Sequence, residues 1–509
     1  MGTKNFSNAN DLITFSRASA GTALRKIAYG SELVTNGTFD TDTDWDKGTG
    51  WSISGGVASY DGSGGTSAIN QDMPVDFVVG RVYQLSLTVV SNTGAGVNNV
   101  YVTPTQQVSG KHLDAGTYVF NFSATSTNAR VYVYGRSGET LVIDNISVKE
   151  VLFDQGDLTL FNHPADVPRI EYDADGNVLG LLVEESRTNL VTYSEDFEQW
   201  VDVNTDLTEN AIEAPDGTTT ATKLIADTAT GQHRRDYLST YSAGTYTFSI
   251  FAKVGGYNYL ELRLGGDGVY VDIRDGSLGG ASAGITTSYE DVGNGWKRIA
   301  ITHSAGANDT VRINVVETSE QRDFTGDGTS GIYIWGAQLE AGAFPTSYIP
   351  TAGATATRSA DVASIPVADF GYNQSEGTVF VEARNTENCD VLALIDDGST
   401  DNRIRLYESG SNVVGLVSVN TTNVAVMVTT QSVATDELKA AIAVKKDDFA
   451  TVANAGSLAT DSAGDMSVGL TDLNIATSEA GVTNGAVHIK SIKYYPRRLT
   501  DAQLQELTT

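Results

Sequence analysis

Residues 246–251 read Tyr246-Thr247-Phe248-Ser249-Ile250-Phe251, with large apolar side chains at 246, 248 and 250 and small hydroxylated ones between them. Successive side chains point to opposite faces of a strand, so this period of two predicts a half-buried β-strand. The same alternation recurs in Val82 to Val89, Tyr118 to Phe122, Tyr259 to Leu264 and Val487 to Ile492. Helical periodicity is scarce, and its best instance is Thr500-Asp501-Ala502-Gln503, a capping-box pattern running into Leu504 and Leu507. The expectation is an all-β chain of tandem β-sandwiches, with little helix apart from a short C-terminal one.

Composition narrows the classes that remain. With 52 Gly against 9 Pro, the 509 residues favour short strands joined by tight turns. Lys plus Arg total 33 and Asp plus Glu 63, a formal net charge of 33 − 63 = −30. A nucleic-acid binder needs a basic face to neutralise phosphates, and no Lys/Arg run here exceeds two residues, so neither nucleic acid nor an anionic membrane surface is an expected partner. The single cysteine, Cys389, excludes an intramolecular disulfide framework and a Cys-based zinc site. Met1 to Asn10 lacks the apolar core of a signal peptide, and no stretch approaches the roughly 18 apolar residues of a membrane span. A soluble chain follows, released by host lysis if it acts outside a cell.

An internal repeat divides the chain. Leu33-Val34-Thr35 leads to Phe39 and Trp45, and Leu190-Val191-Thr192 leads to Phe197 and Trp200. Each copy continues into an alternating strand, at Val82 and at Tyr246, and closes on an apolar strand, Leu141 to Val148 and Ile332 to Leu339. Two related sandwiches are expected, at 31–150 and 187–350. Pro345 to Arg358 reads as a linker, and 351–509 as a third sandwich. Residues 1–30 and 151–186 are less regular; the second holds an Asp173-Ala174-Asp175-Gly176 hairpin turn.

Three runs carry a resemblance: Thr14-Phe15-Ser16-Arg17-Ala18-Ser19, Pro168-Arg169-Ile170-Glu171-Tyr172-Asp173, and Gly180-Leu181-Leu182-Val183-Glu184-Glu185-Ser186-Arg187-Thr188-Asn189-Leu190. They resemble a segment of tail-fibre and other virion-appendage proteins of tailed bacteriophages. In those proteins the first run lies a few tens of residues before the second, which implies that 31–150 is inserted into a surface loop of the segment. The first two sandwiches look like carbohydrate-binding-module jelly rolls. The third is similar to concanavalin-like or laminin-G-like domains, through Ala441 to Val444, Asp448 to Asn454 and Tyr494 to Leu504. That family has Asn-Gly where this chain has Asn454-Ala455, which predicts an altered turn. The resemblance implies a structural virion protein, a fibre or appendage adhering to host surface glycans, with 1–30 and 151–186 docking it to other virion proteins. A homo-trimer assembled in the host cytoplasm is implied with it. The alternatives are a capsid decoration or head-fibre protein with a stabilising role, and a glycan-degrading enzyme.

Catalytic patterns are absent from the sequence. His112, His163, His233, His303 and His488 are scattered and none has metal-ligand spacing. Among 63 carboxylates no glycosidase pair is singled out, so a non-enzyme with no cofactor is expected. Asp40, Asp42 and Asp44 stand at every second position, a spacing that would offer hard oxygens to a structural Ca²⁺, or else form a solvated Asp/Thr turn. Asp323 and Asp327 pose the same choice. Sugars need aromatic faces beside planar polar groups, and Trp51, Tyr60, Tyr257 and Tyr270 lie near glycine-rich turns where such rings would be displayed, the alternative for each being the sandwich core.

Overall fold

A computed structural model describes residues 13–387, 391–410, 412–430, 437–478, 483 and 485–509. Cys389 and Met1 to Asn10 lie outside the described residues. About 56% of the chain is strand and 3% helix, which places it in the all-β class. Two compact units make up the chain: one is Lys26–Asp157 with Asn162–Ala165, and the other is Met1–Arg25 with Leu158–Phe161 and Asp166–Thr509.

The first-named unit is built on the strand Val82–Asn92, whose Leu85, Leu87 and Val89 are buried and whose Gln84, Ser86 and Thr88 are half-buried, as the alternation predicts. It is bonded to Gly116–Ser123 on one side and Leu141–Phe153 on the other. A five-stranded sheet, in the order Asp46–Lys47, Ser67–Asp72, Arg130–Gly135, Asn98–Tyr101, Gln107–Lys111, supplies Ile69, Val131, Val133 and Val100 to the same core. Trp45, Trp51 and Tyr60 belong to that core.

The larger unit holds two sandwiches. Residues 187–350 contribute two six-stranded sheets. One runs Thr205–Ile212, Ala221–Ala226, Gly331–Ala341, Gly244–Gly255, Trp296–Ala305, Thr286–Gly293; the other runs Val201–Val203, His233–Leu238, Thr310–Val316, Tyr259–Leu264, Asp267–Asp272, Leu278–Gly279. Phe248 and Ile250 of the decisive stretch pack between the sheets on Leu260, Leu262 and Ile313. The intervening Thr247 and Ser249 are buried as well, contrary to the expected solvent face. The strand is central, and its outer side is covered by a second apolar cluster of Phe251, Trp296, Trp335 and Tyr348. Thr247 satisfies its hydroxyl there with Thr302 and the Gly342 carbonyl.

The last sandwich has two seven-stranded sheets and recruits strands from far upstream. Thr14–Ser16 pairs with Val362–Pro366 at one sheet edge, and Arg169–Tyr172 and Val178–Glu184 join the other sheet beside Ala486–Tyr495. The capping box forms as read: Thr500 accepts from the Gln503 amide, Gln503 returns a bond to Thr500 N, and helix Asp501–Leu507 buries Leu504. Asn454 and Ala455 both adopt left-handed backbone, φ 46° and 51°, so the turn survives the loss of glycine.

The runs that resemble virion appendages meet in a buried ionic cluster. Arg17 Nη1 lies 3.0 Å from Asp361 Oδ1, and Arg169 bridges Asp361 Oδ2 at 2.5 Å and Glu184 Oε2 at 2.8 Å. Arg358 Nη2 stands 3.5 Å from Glu184. All five side chains are buried. Ser347 donates its amide and hydroxyl to Glu184 at 2.8 and 2.7 Å, and Glu184 N donates to Asp361. Burial alone would raise the Glu184 carboxyl, but Arg358 and Arg169 hold it well below the usual carboxylate range. Asn189 completes the motif, with both its amide donors and its oxygen bonded to backbone of Ala337, Ile349, Val191 and Leu339. The docking expected of 1–30 and 151–186 therefore cannot run through Arg17, Arg169 or Glu184, which are spent inside the unit because a buried charge is stable only when paired.

Candidate functional site

The outer face of the second six-stranded sheet concentrates polar side chains. In strand Thr310–Val316, Val311, Ile313 and Val315 fill the core, so Arg312 and Asn314 project to the other side. The neighbouring strands place Arg234 and Asp236, and Glu261 and Arg263, on that same face by the same alternation. Register then lines them up: Arg234 pairs with Asn314, Asn314 with Glu261, and Glu261 with Tyr270. A second row pairs Asp236 with Arg312 and Arg312 with Arg263.

Asn314 is the floor of this face, 0% exposed, and neither its amide nitrogen nor its oxygen bonds another protein group. Glu261 is 2% exposed; one carboxylate oxygen takes Arg263 Nη1 at 2.8 Å and Arg322 Nη1 at 3.2 Å, while Oε2 is buried without a partner. Buried polar groups are normally satisfied, and each orphan costs about 1–3 kcal/mol. Arg234 forks onto Asp236 and reaches Gln232 Oε1. Tyr270 is half-buried above Gly280, where an added Cβ would lie 3.2 Å from its ring; burial and then Glu261 raise its hydroxyl, so it stays protonated. Asn314 and Glu261 Oε2 lie closed to solvent beneath this row, while Arg234 and the Tyr270 ring are half-exposed, and guanidinium donors beside an aromatic ring form a set suited to a polyhydroxylated ligand.

The other sequence-nominated residues do not join it. Trp51, 7% exposed, and Tyr60, 1% exposed, stack on each other at 5.4 Å in the core of the smaller unit, so neither ring offers a face to a ligand. Tyr257 packs on the middle sandwich core against Phe324, ring centroids 5.3 Å apart. Asp40, Asp42 and Asp44 are exposed and each is engaged locally, by Thr38, Lys47 and Thr43 respectively, so the alternating spacing produces a polar turn and not a shared coordination point. Asp327 caps a turn through the Thr329 and Ser330 amides and hydroxyls, which hold it below the usual carboxylate range. Among the described residues a converging acidic group is Asp196, Glu198 and Glu209, with ligand atoms within 4.8 Å of one another, which no spacing rule had marked.

Of the residues nominated from the sequence Tyr270 lies on this face, and Arg234, Asn314 and Glu261 were not nominated. In a single sequence Asn314 is an ordinary polar residue of an alternating strand. Only the pairing of strands distant in the chain sets it between an arginine and a glutamate.

No family model and no curated protein matches this chain. Solved structures similar to parts of it include the following two. One is the N-terminal tandem of two CBM22 domains from Paenibacillus barcinonensis Xyn10C, with 11% identity over 62% of this chain and 98% of that one and a TM-score of 0.20. The other is a mutant of the GH43 protein BlXynB from Bacillus licheniformis, with 10% identity over 87% of this chain and 84% of that one and a TM-score of 0.18. At those values neither likeness bears on function.

Proposed function

We propose that this chain is a non-enzymatic glycan-adhesion protein of a tailed-bacteriophage virion, a fibre or appendage whose middle sandwich presents the Arg234–Asn314–Glu261–Tyr270 row to host surface polysaccharide. The observation that carries the reading is the row itself, which register sets across one sheet face with Arg234 and the Tyr270 ring half-exposed on either side of Asn314 and Glu261. The virion assignment rests on the resemblance of the three runs quoted above. A trimeric assembly formed in the host cytoplasm and freed by lysis would multiply weak individual contacts into avidity. A stabilising decoration or head-fibre role is the second reading, and it is favoured by one observation: the appendage-like motifs are turned inward to tie strands of one unit together.

A glycan array probed with the purified full chain tests the proposal. Specific binding that falls at least tenfold in Tyr270→Ala, with unchanged thermal unfolding, is the expected result, since a stacking aromatic and its area are worth more than about 1.4 kcal/mol. Absence of binding to any bacterial polysaccharide overturns it. Reducing-sugar release from a bound polymer would replace adhesion by hydrolysis, and immunogold labelling of particles separates tail from head.

A further inference from the structure

Four arginines stand on the candidate face, Arg234, Arg263, Arg312 and Arg322, against the carboxylates of Asp236 and Glu261. This cluster of guanidiniums occurs in a chain of net charge −30. Two of the arginines are directly opposed. Arg263 and Arg312 are cross-strand partners, a position where like charges repel and destabilise a sheet. Both guanidiniums are drawn to the same turn, Arg312 Nη1 donating to the Gly265 carbonyl at 2.7 Å and Arg263 Nη2 to the Gly266 carbonyl. Of the other carboxylates around the face, Asp309 takes the Gly306 amide, Asp267 stands 3.1 Å from His303, and Glu320 and Asp323 lie on the Tyr270 side. Arg263 is paired with Glu261 at 2.8 Å, and Arg312 stands 3.5 Å from Asp236. No carboxylate lies between the two guanidiniums in the register. Beside them sits Asn314 with its amide unbonded.

From this juxtaposition we infer that the ligand of the face is an acidic saccharide, whose carboxylate or sulfate group is held between Arg263 and Arg312. The inference rests on the glycan reading and narrows it to a class. A carboxylate or a sulfate accepts paired N–H donors from guanidiniums, and it relieves the repulsion that the two arginines otherwise impose on the sheet. Attraction cannot come from the chain as a whole, whose negative charge repels a polyanion, so affinity must be local to these side chains.

The test measures binding of the full chain to immobilised alginate, polygalacturonate and hyaluronan, each beside its carboxyl-reduced neutral form, and to dextran sulfate beside dextran. Binding to a charged form and not to its neutral counterpart, weakened about tenfold or more in Arg312→Gln and in Arg263→Gln, supports the inference. The control Arg497→Gln, which removes the same charge at an exposed position in the other sandwich, is expected to leave binding unchanged. Thermal unfolding of Arg312→Gln at or above that of the parent shows that the loss is not one of folding. Equal binding to charged and neutral forms overturns the acidic class and leaves the glycan reading standing. Charged binding untouched by either substitution removes the arginine pair from the site. Failure of every polymer, neutral or charged, sinks the glycan reading and this inference with it.

Discussion

Asn314 costs the fold something that its neighbours do not return. Its side chain is closed to solvent and bonded to no protein group, so Asn314→Leu, similar in volume and free of polar atoms, is expected to raise the unfolding free energy by about 1 kcal/mol. The same substitution should weaken glycan binding; a variant both less stable and fully binding would show that the amide has no ligand role. Denaturant unfolding and the glycan array read the two effects separately. Glu195 is a second residue whose environment sets its chemistry. Burial pushes its carboxyl up to about 7, the Tyr348 hydroxyl, donating at 2.7 Å, offsets part of that, and Asp216 adds to it. Because the folded pKa lies above the unfolded value of 4.5, the folded state binds the proton more tightly, and this contribution to stability is full below 4.5 and lost as pH rises through 7. Glu195→Gln keeps an acceptor for Tyr348 and removes the titration, so its stability is expected to fall less than the parent's between pH 5 and 7.5 in guanidinium unfolding.

Among elements, the hairpin turn at Asn454 and Ala455 shows what a sequence departure does to a local structure. The turn joins Phe449–Ala453 to Ala459–Asp461, and Phe449–Ala453 is laddered on its other side to Glu437–Lys445, where Asn454 bonds Lys439 through both its amide N and its side-chain oxygen. The turn geometry is thereby imposed, and Ala455 accepts φ 51°, a region that disfavours a residue with a Cβ. Ala455→Gly is expected to stabilise the chain by about 1 kcal/mol, less the extra unfolded-state entropy of glycine, as measured by denaturant unfolding. The central strand at 246–251 teaches the complementary lesson. Its alternation correctly announced a strand, yet the buried Thr247 and Ser249 find their partners far along the chain, Thr302 and Gly342 for Thr247 and Arg298 for Ser249, which local periodicity does not encode.

At the scale of the molecule, one buried cluster and one pair of crossings organise the chain. Asp361 neutralises Arg17 and Arg169, and Asp361→Asn leaves buried guanidiniums without their counter-charge, so a loss of about 3–5 kcal/mol is expected in the unfolding of the larger unit. The smaller unit begins and ends on neighbouring residues, since Gly30 N donates to Glu150 O at 2.9 Å. Replacing residues 31–150 by a short Gly/Ser linker is therefore expected to leave the Arg17–Asp361 cluster and both remaining sandwiches folded; loss of their cooperative unfolding transition in calorimetry would contradict this. Much of this was legible beforehand. Period-two patterning determined the all-β class and the Thr500–Gln503 pairing determined the final helix, because each depends on neighbours within a few positions of the chain. That Arg17, Arg169 and Glu184 gather around Asp361, and which polar residues share a face, was decided only by tertiary structure. Strand register and burial join segments far apart in sequence: they buried Arg17, Arg169 and Glu184 in one ionic cluster, put Trp51 and Tyr60 in a core, and set Arg234, Asn314, Glu261 and Tyr270 in one row.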